Sequence, residues 1–358
     1  MDYSSSLTLE RPNLWLRSRN WDLVWISFSA LLMVVPYASF FLAQTLGFDA
    51  TKAREGVNML VAFCIGGPHM YATYTRTTFE PEFRKNHYSI IPAAIIIPAL
   101  VIYFGTYHFI FLLTFFFFWA SVHVLHQIVF IVDCYIGKHR PSQTFASRMG
   151  DYAVVLTALY PMAMYRFVHG TFHIGDQYLY FPPFLKVDAV WWLATAAFSF
   201  ALAYFVTKTF REFQRGEGNL PKTILISVTI VATFITPFFG ELDVAFQGLN
   251  TWHSFQYLAL TWYINRLRLE RGEISSPTMR KISGPKSWWK YYGFNVAFNS
   301  IILALLGGLL LTRHWHHLSN DQCYYIVILS ILLQHYYHDH ILFTLPSEIR
   351  ETRPALAA

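Results

Sequence analysis

The chain has 358 residues, of which 54% are hydrophobic and only 13% charged, with a mean hydropathy of +0.34. An ordinary soluble domain carries about a quarter charged residues, so this balance excludes a soluble globular protein and points to an all-α, polytopic integral membrane bundle read as one transmembrane domain over 1–358. The net charge of +6 comes without any nucleic-acid-binding module, which excludes nucleic acid as a partner, and Cys64, Cys134 and Cys323 form no C-x-x-C, which excludes a disulfide framework and a thiolate metal site.

The chain opens with a polar segment, 1–21, that carries Arg11, Arg17 and Arg19 but no short apolar core followed by a cleavage site, so it reads as a retained cytoplasmic segment. A bilayer core about 30 Å thick needs about 20 apolar helical residues. On that scale the following segments read as spans: 22–46, 57–76, 88–107, 109–137, 150–168, 187–210, 221–240, 248–268, 293–312 and 321–345. Two longer loops separate them. Residues 169–186 read as an interfacial loop and the basic residues 269–291 as a solvated cytoplasmic loop in reach of lipid headgroups. Short cytoplasmic loops collect Lys and Arg. With both termini inside, only Lys52, Arg54, Arg166, Lys186 and Arg313 fall on the opposite face, so the charge bias supports about ten transmembrane helices with cytoplasmic termini. The expected location is an integral membrane, the inner membrane if the source is bacterial.

Histidines single out the second, fourth, eighth and tenth spans. His69 follows Gly66–Gly67–Pro68; His123, His126 and Gln127 lie on the fourth; His253, Gln256 and Tyr257 on the eighth; and His335, His338 and Asp339 on the tenth. Ionisable side chains inside a membrane are costly and mark ligand sites, relays or pathways. From the first basic residue on the cytoplasmic side, His126, His253 and His338 stand 12, 13 and 12 residues away, roughly 18–20 Å at 1.5 Å per residue. They are expected at one depth, and His69, 7 residues from Arg76, roughly 10 Å from the boundary unless the Gly-Gly-Pro break alters it. Residues three and four apart share a helix face, which groups His123 with His126 and Gln127, His253 with Gln256 and Tyr257, and His335 with His338 and Asp339, while His340 points elsewhere.

Neutral imidazole is the commonest metal-ligating side chain, and imidazoles with few carboxylates suit iron, copper, zinc or nickel rather than calcium or magnesium. The expected ligands are therefore His69, His123, His126, His253, His335 and His338, with Gln127, Gln256, Tyr257 and Asp339 placed to orient the rings and no catalytic residue beyond the metal ligands. His314, His316, His317, His169 and His173 read as interfacial, His87, His108 and His139 as boundary residues, and Glu241 with Asp243 as a loop pair. Walker, G-x-S-x-G, H-E-x-x-H and C-x-x-C-H patterns are absent.

Gly66–Gly67–Pro68–His69, His123 in an aromatic span, His253 in a late polar stretch and His335 to His338 in the last helix resemble, in order and spacing, the Brp/Blh family of membrane β-carotene cleavage dioxygenases. That resemblance implies iron held by His69, His123, His253 and His335 or His338. The chain departs from the family where Met70–Tyr71–Ala72–Thr73 supplies no acid after the first motif, where His123–Val124–Leu125–His126–Gln127 replaces His-Phe-Gly, and where Gln256 and Tyr257 stand in place of a second late imidazole. Membrane desaturases and hydroxylases are echoed only in part, because H-x-x-H-H is missing. The expectation is a non-haem iron oxygenase, mononuclear rather than di-iron, acting with O2 on a lipophilic substrate (carotenoid or polyene cleavage, or hydrocarbon-chain hydroxylation or desaturation). Its partners would be that substrate, membrane lipids and, where the chemistry needs one, an electron donor. A b-haem electron-transfer protein and a metal or proton transporter are the alternatives.

Overall fold

The computed structural model describes residues 13–138, 143–170, 173–174, 177–238 and 242–344. Among these residues the only strands are the two-residue pair His173–Ile174 and Gln177–Tyr178, joined antiparallel within the 169–186 loop. Everything else of any length is helix. The long elements are α1 (Arg19–Thr45), α2 (Ala50–Val61), α3 (Gly67–Tyr74), α4 (Ile90–Tyr107), α5 (Phe109–Lys138), α6 (Phe145–Thr157), α7 (Tyr160–His169), α8 (Asp188–Gln214), α9 (Leu220–Ile235), α10 (Leu242–Glu270), α11 (Trp288–His316) and α12 (Asn320–Leu342). Each expected span overlaps a helical rod, with α2 and α3 forming one broken rod and α6 and α7 another.

Among the described residues six helices are long and apolar enough to cross a membrane: α1, α4, α5, α8, α9 with its following turn, and α11. In α4, α8 and α11 only 17% of the most apolar window is buried within the protein, so these three form the outer wall and present exposed apolar side chains such as Ile95, Leu193, Phe200 and Leu305. The interior is built differently. α10 is buried over most of its length, and its buried set includes Asp243, Gln247, Thr251, His253, Ser254, Gln256, Thr261 and Asn265. α12 buries Gln334, His335, His338 and Asp339. These two helices have lower hydropathy because their polar side chains face protein instead of lipid.

The break between α2 and α3 has a local cause. Pro68 has no N–H to give the carbonyl four residues back, and Tyr292 on α11 donates its hydroxyl to that carbonyl, Cys64 O. The chain passes through a π-turn at Ala62–Gly66, where Asn299 Nδ2 donates to Ala62 O at 2.9 Å. Freed backbone groups in an apolar setting need such partners. Gly67 is needed because α11 comes so close: a Cβ there would lie 2.1 Å from Asn299 Oδ1 and 2.2 Å from Ala62 O.

Several charges that the sequence places in loops are interior. Arg76 is 1% exposed, so it is enclosed by protein and not solvated. Lys208 and Lys222 are buried and both pair with Asp151, Lys222 at 2.6 Å, in a junction of α6, α8 and α9. Asp243 is not a loop residue; it opens α10 and pairs with Arg54 at 3.1 Å. Glu241 and His139 lie outside the described residues, as do both terminal segments. The 269–291 segment is also not freely solvated: it contains a helix, Pro277–Ile282, and buries Ile274, Met279, Ile282 and Ser283, while buried Glu80 accepts from Ser275 N at 3.3 Å. Its apolar residues recur at helical spacing and dock under the bundle, with the basic residues left outside.

Candidate metal centre

Four imidazoles meet where α3, α5, α10 and α12 converge. Around the group the ring centroids are 5.2 Å from His69 to His253, 5.0 Å from His253 to His123, 5.1 Å from His123 to His335 and 4.7 Å from His335 to His69. The His253 to His335 diagonal is 6.4 Å. All four residues are at most 5% exposed. Asp339 joins them from α12, its Oδ2 lying 3.5 Å from His335 Nε2 and 3.7 Å from His123 Nε2. Ligand atoms of His69, His253 and His335 lie within 4.8 Å of one another, as do those of His123, His335 and Asp339.

The hydrogen bonds around this group fix where the lone pairs point. Asp339 Oδ1 accepts from Tyr257 OH and, at 2.8 Å, from Thr73 Oγ1. Thr73 has a single hydroxyl proton, committed to that carboxylate, so its 2.6 Å contact with His335 Nδ1 has the imidazole N–H donating to Oγ1. His335 Nε2 is then a bare acceptor facing the centre. His69 Nδ1 likewise donates to Gly66 O and approaches Ser254 Oγ at 2.9 Å, which turns Nε2 inward. Tautomers assigned in this way follow from the donor and acceptor inventory.

Buried and without a hydrogen-bond partner are His69 Nε2, His123 Nε2, both nitrogens of His253, His335 Nε2 and Asp339 Oδ2. Orphaned buried polar atoms cost about 1–3 kcal/mol each, and a native interior rarely collects them in one place. Here the Nε2 lone pairs of His69 and His335, the unpartnered nitrogens of His123 and His253 and a carboxylate oxygen lie close together with no hydrogen bond among them. A cation relieves that arrangement, and the set of four imidazoles and one carboxylate fits a transition metal of the iron or zinc type.

Not every expected ligand is brought in. His126 is only half-buried, with its ring 5.1 Å from Phe343 and 6.2 Å from His340. His338 is buried beside Tyr74, at 5.2 Å, and Thr77, whose Oγ1 lies 3.2 Å from Nδ1. A helix advances about 100° per residue, so a residue four on is offset by about 40° and a residue three on by about 60° in the opposite sense. The centre lies on the four-residue side of His253 and His335: Tyr257 and Asp339 follow it inward, and His126 and His338 are turned away. His69, although only 7 residues from Arg76, sits with the other rings after the break at Gly66–Gly67–Pro68.

Gln127 and Gln256 do not orient imidazoles. Gln127 Nε2 donates to Gln256 Oε1 at 2.7 Å and to the His253 carbonyl at 3.2 Å, and Gln256 Nε2 donates to Ile26 O at 2.7 Å. They tie α5, α10 and α1 together behind His253. Thr73, Ser254 and the Gly66 carbonyl set the ring tautomers, roles that sequence spacing did not disclose; the one available signal was that Thr73 lies four residues after His69 on the same face. Arg76 acts electrostatically on Asp339 and supplies positive charge to the buried network.

The outlying histidines stay outside. His314, His316 and His317 are exposed at the end of α11, His169 Nε2 pairs with Asp188 at 3.0 Å, and His87 stacks on Phe83 at 4.1 Å. Comparison of the chain with protein-family models, with curated proteins and with solved structures gave no match.

Proposed function

We propose that the protein is a membrane-embedded non-haem iron oxygenase that uses O2 on a lipid-soluble substrate, by cleaving a polyene such as a carotenoid or by hydroxylating or desaturating a hydrocarbon chain. One observation carries the reading: buried, unpartnered nitrogens of His69, His123, His253 and His335 and a carboxylate oxygen of Asp339 lie together in two overlapping groups, His69 with His253 and His335, and His123 with His335 and Asp339, whose ligand atoms are within 4.8 Å of one another. In this reading those five residues hold a single iron, and the ten helical rods are ten spans with both termini cytoplasmic. The resemblance of the Gly66–Gly67–Pro68–His69, His123, His253 and His335 positions to the Brp/Blh pattern supports the same ligand set, and it is the structure's choice of His335 over His338 that makes the set compact.

When bound, iron supplies binding and reduction of dioxygen. The chain's own residues do the rest. Thr73 and Tyr257 hold the Asp339 carboxylate in place, Thr73 and Gly66 hold two imidazoles in the Nδ1–H tautomer, and Arg76 offsets buried negative charge. Such partners of metal ligands are worth 10–100-fold in affinity. Phe343 and Tyr336, both buried against the His123 ring, help close the surroundings against bulk water. The closed arrangement of rings leaves no slot for a porphyrin between an opposed pair, which weighs against the b-haem alternative.

The test is metal analysis and an optical spectrum of detergent-purified protein, followed by oxygen uptake with β-carotene and with a long-chain alkane. About one iron per chain and substrate-dependent uptake are expected. Absence of transition metal, a haem band, or metal flux in proteoliposomes without oxygen uptake would each overturn the proposal.

A further inference from the structure

A groove of about 500 Å³ runs along the bundle surface between α4, α5 and α12, within the size range of sites that hold small ligands. Its walls include Leu100, Phe104, Phe115, Trp119 and Leu333, and the one ionisable imidazole on its rim is His340. Leu100, Phe111, Phe115 and Trp119 are all 46–56% exposed, so the groove opens sideways at the bundle surface.

Tyr336 belongs to both this groove and the metal centre. It lines the groove, yet it is 7% exposed and its ring stacks on His123, with centroids 3.9 Å apart and planes 24° from parallel, and lies 5.7 Å from His335. A single aromatic ring therefore separates a lipid-facing apolar channel from two of the candidate ligands. The ring also packs in the apolar cluster of Met70, Val101, Leu112, Phe116 and Leu332, so truncating it removes a packed layer between the groove and the ligands.

We infer that the α4–α5–α12 groove is the lateral entry channel through which an uncharged hydrocarbon or polyene chain reaches the metal centre from the bilayer, with Tyr336 as its gate. The occupant is a chain because the groove is long and apolar, and uncharged because no fixed charge lines it. Its end is delivered toward His123 because Tyr336, which lines the groove, stacks on that ring. Calling the occupant a substrate rests on the oxygenase reading above; the channel and its gate do not.

The experiment uses full-length protein in nanodiscs with a long-chain alcohol bearing a diazirine at its terminal carbon, photolysed and mapped by mass spectrometry. Saturable labelling of α4, α5 and α12 is expected, competed by unlabelled alcohol and reduced at least about tenfold by Leu333→Trp and by the more exposed Leu100→Trp. In Tyr336→Ala, but not Tyr336→Phe, labelling should extend to the α10 peptide that carries His253. Labelling of the groove no stronger or more saturable than that of α8 and α11 would show annular lipid only and overturn the channel. Saturable labelling that never reaches α10 in Tyr336→Ala would overturn the gate. Metal content is measured on the same samples: saturable labelling in protein that binds no metal would remove the word substrate and the oxygenase reading together, and leave a lipid site.

Discussion

Replacing Thr73 with Val tests the logic of the centre at a residue that touches no metal. Valine matches threonine in shape, so the substitution removes one hydroxyl, and with it the 2.8 Å bond to Asp339 and the 2.6 Å acceptor for His335 Nδ1. The imidazole N–H and one carboxylate bond are then left unmade among buried side chains. Losing a partner that orients a metal ligand costs about 10–100-fold in metal affinity, equivalent to about 1.4–2.7 kcal/mol at 1.36 kcal/mol per tenfold. The assay is competitive metal titration of purified protein against a chelator of known affinity, with Thr73→Ser as the control that restores the hydroxyl. A loss of affinity in Thr73→Val, rescued in Thr73→Ser, is expected. If Thr73→Val binds metal as tightly as the unaltered protein while His335→Ala does not, the hydrogen-bond account of the centre is wrong.

Four further outcomes follow from the same geometry. His123→Ala and His335→Ala should lose stoichiometric metal, whereas His126→Ala and His338→Ala should keep it; metal loss in the second pair would return those residues to the ligand set. Metal removal should lower the melting temperature, because a ligand at 100 times its Kd stabilises by about 2.7 kcal/mol, and an unchanged melt after chelation would argue against a metal at this position. Asp151→Asn leaves the buried Lys222 ammonium facing a neutral side chain and Lys208 with only Glu212 at 3.4 Å, and should destabilise by about 3–5 kcal/mol, read as a thermal melt in detergent; a shift under one degree would refute the buried-pair account. Gly67→Ala should lower stability and metal content together, since its Cβ meets Asn299 and the Ala62 carbonyl, while Gly56→Ala, which meets nothing within 4 Å, should be silent in both.

Helical class, the location of each rod and the identity of the histidine-bearing helices were legible in the chain, because hydropathy over about 20 residues is a local property and a bilayer demands complete local hydrogen bonding. His69, His123, His253 and His335 were all named from their placement in apolar runs. What spacing could not settle was which of two neighbouring histidines turns inward: that depends on the rotation of each helix about its own axis, set by its packing partners, and it chose His123 over His126 and His335 over His338. The partners of the imidazoles were hidden for a related reason. Thr73 is separated from Asp339 by 266 positions, and no local pattern records that a hydroxyl on α3 will meet a carboxylate on α12. Charge counting failed at Arg76, Lys208 and Lys222 because a basic residue near a helix end reads as solvated until a buried acid such as Asp151 is seen beside it. Composition and periodicity thus determine which segments leave water and roughly where polar groups are carried with them; only the tertiary packing decides which of those groups share a single point, because convergence is a relation between distant helices that each helix alone does not encode.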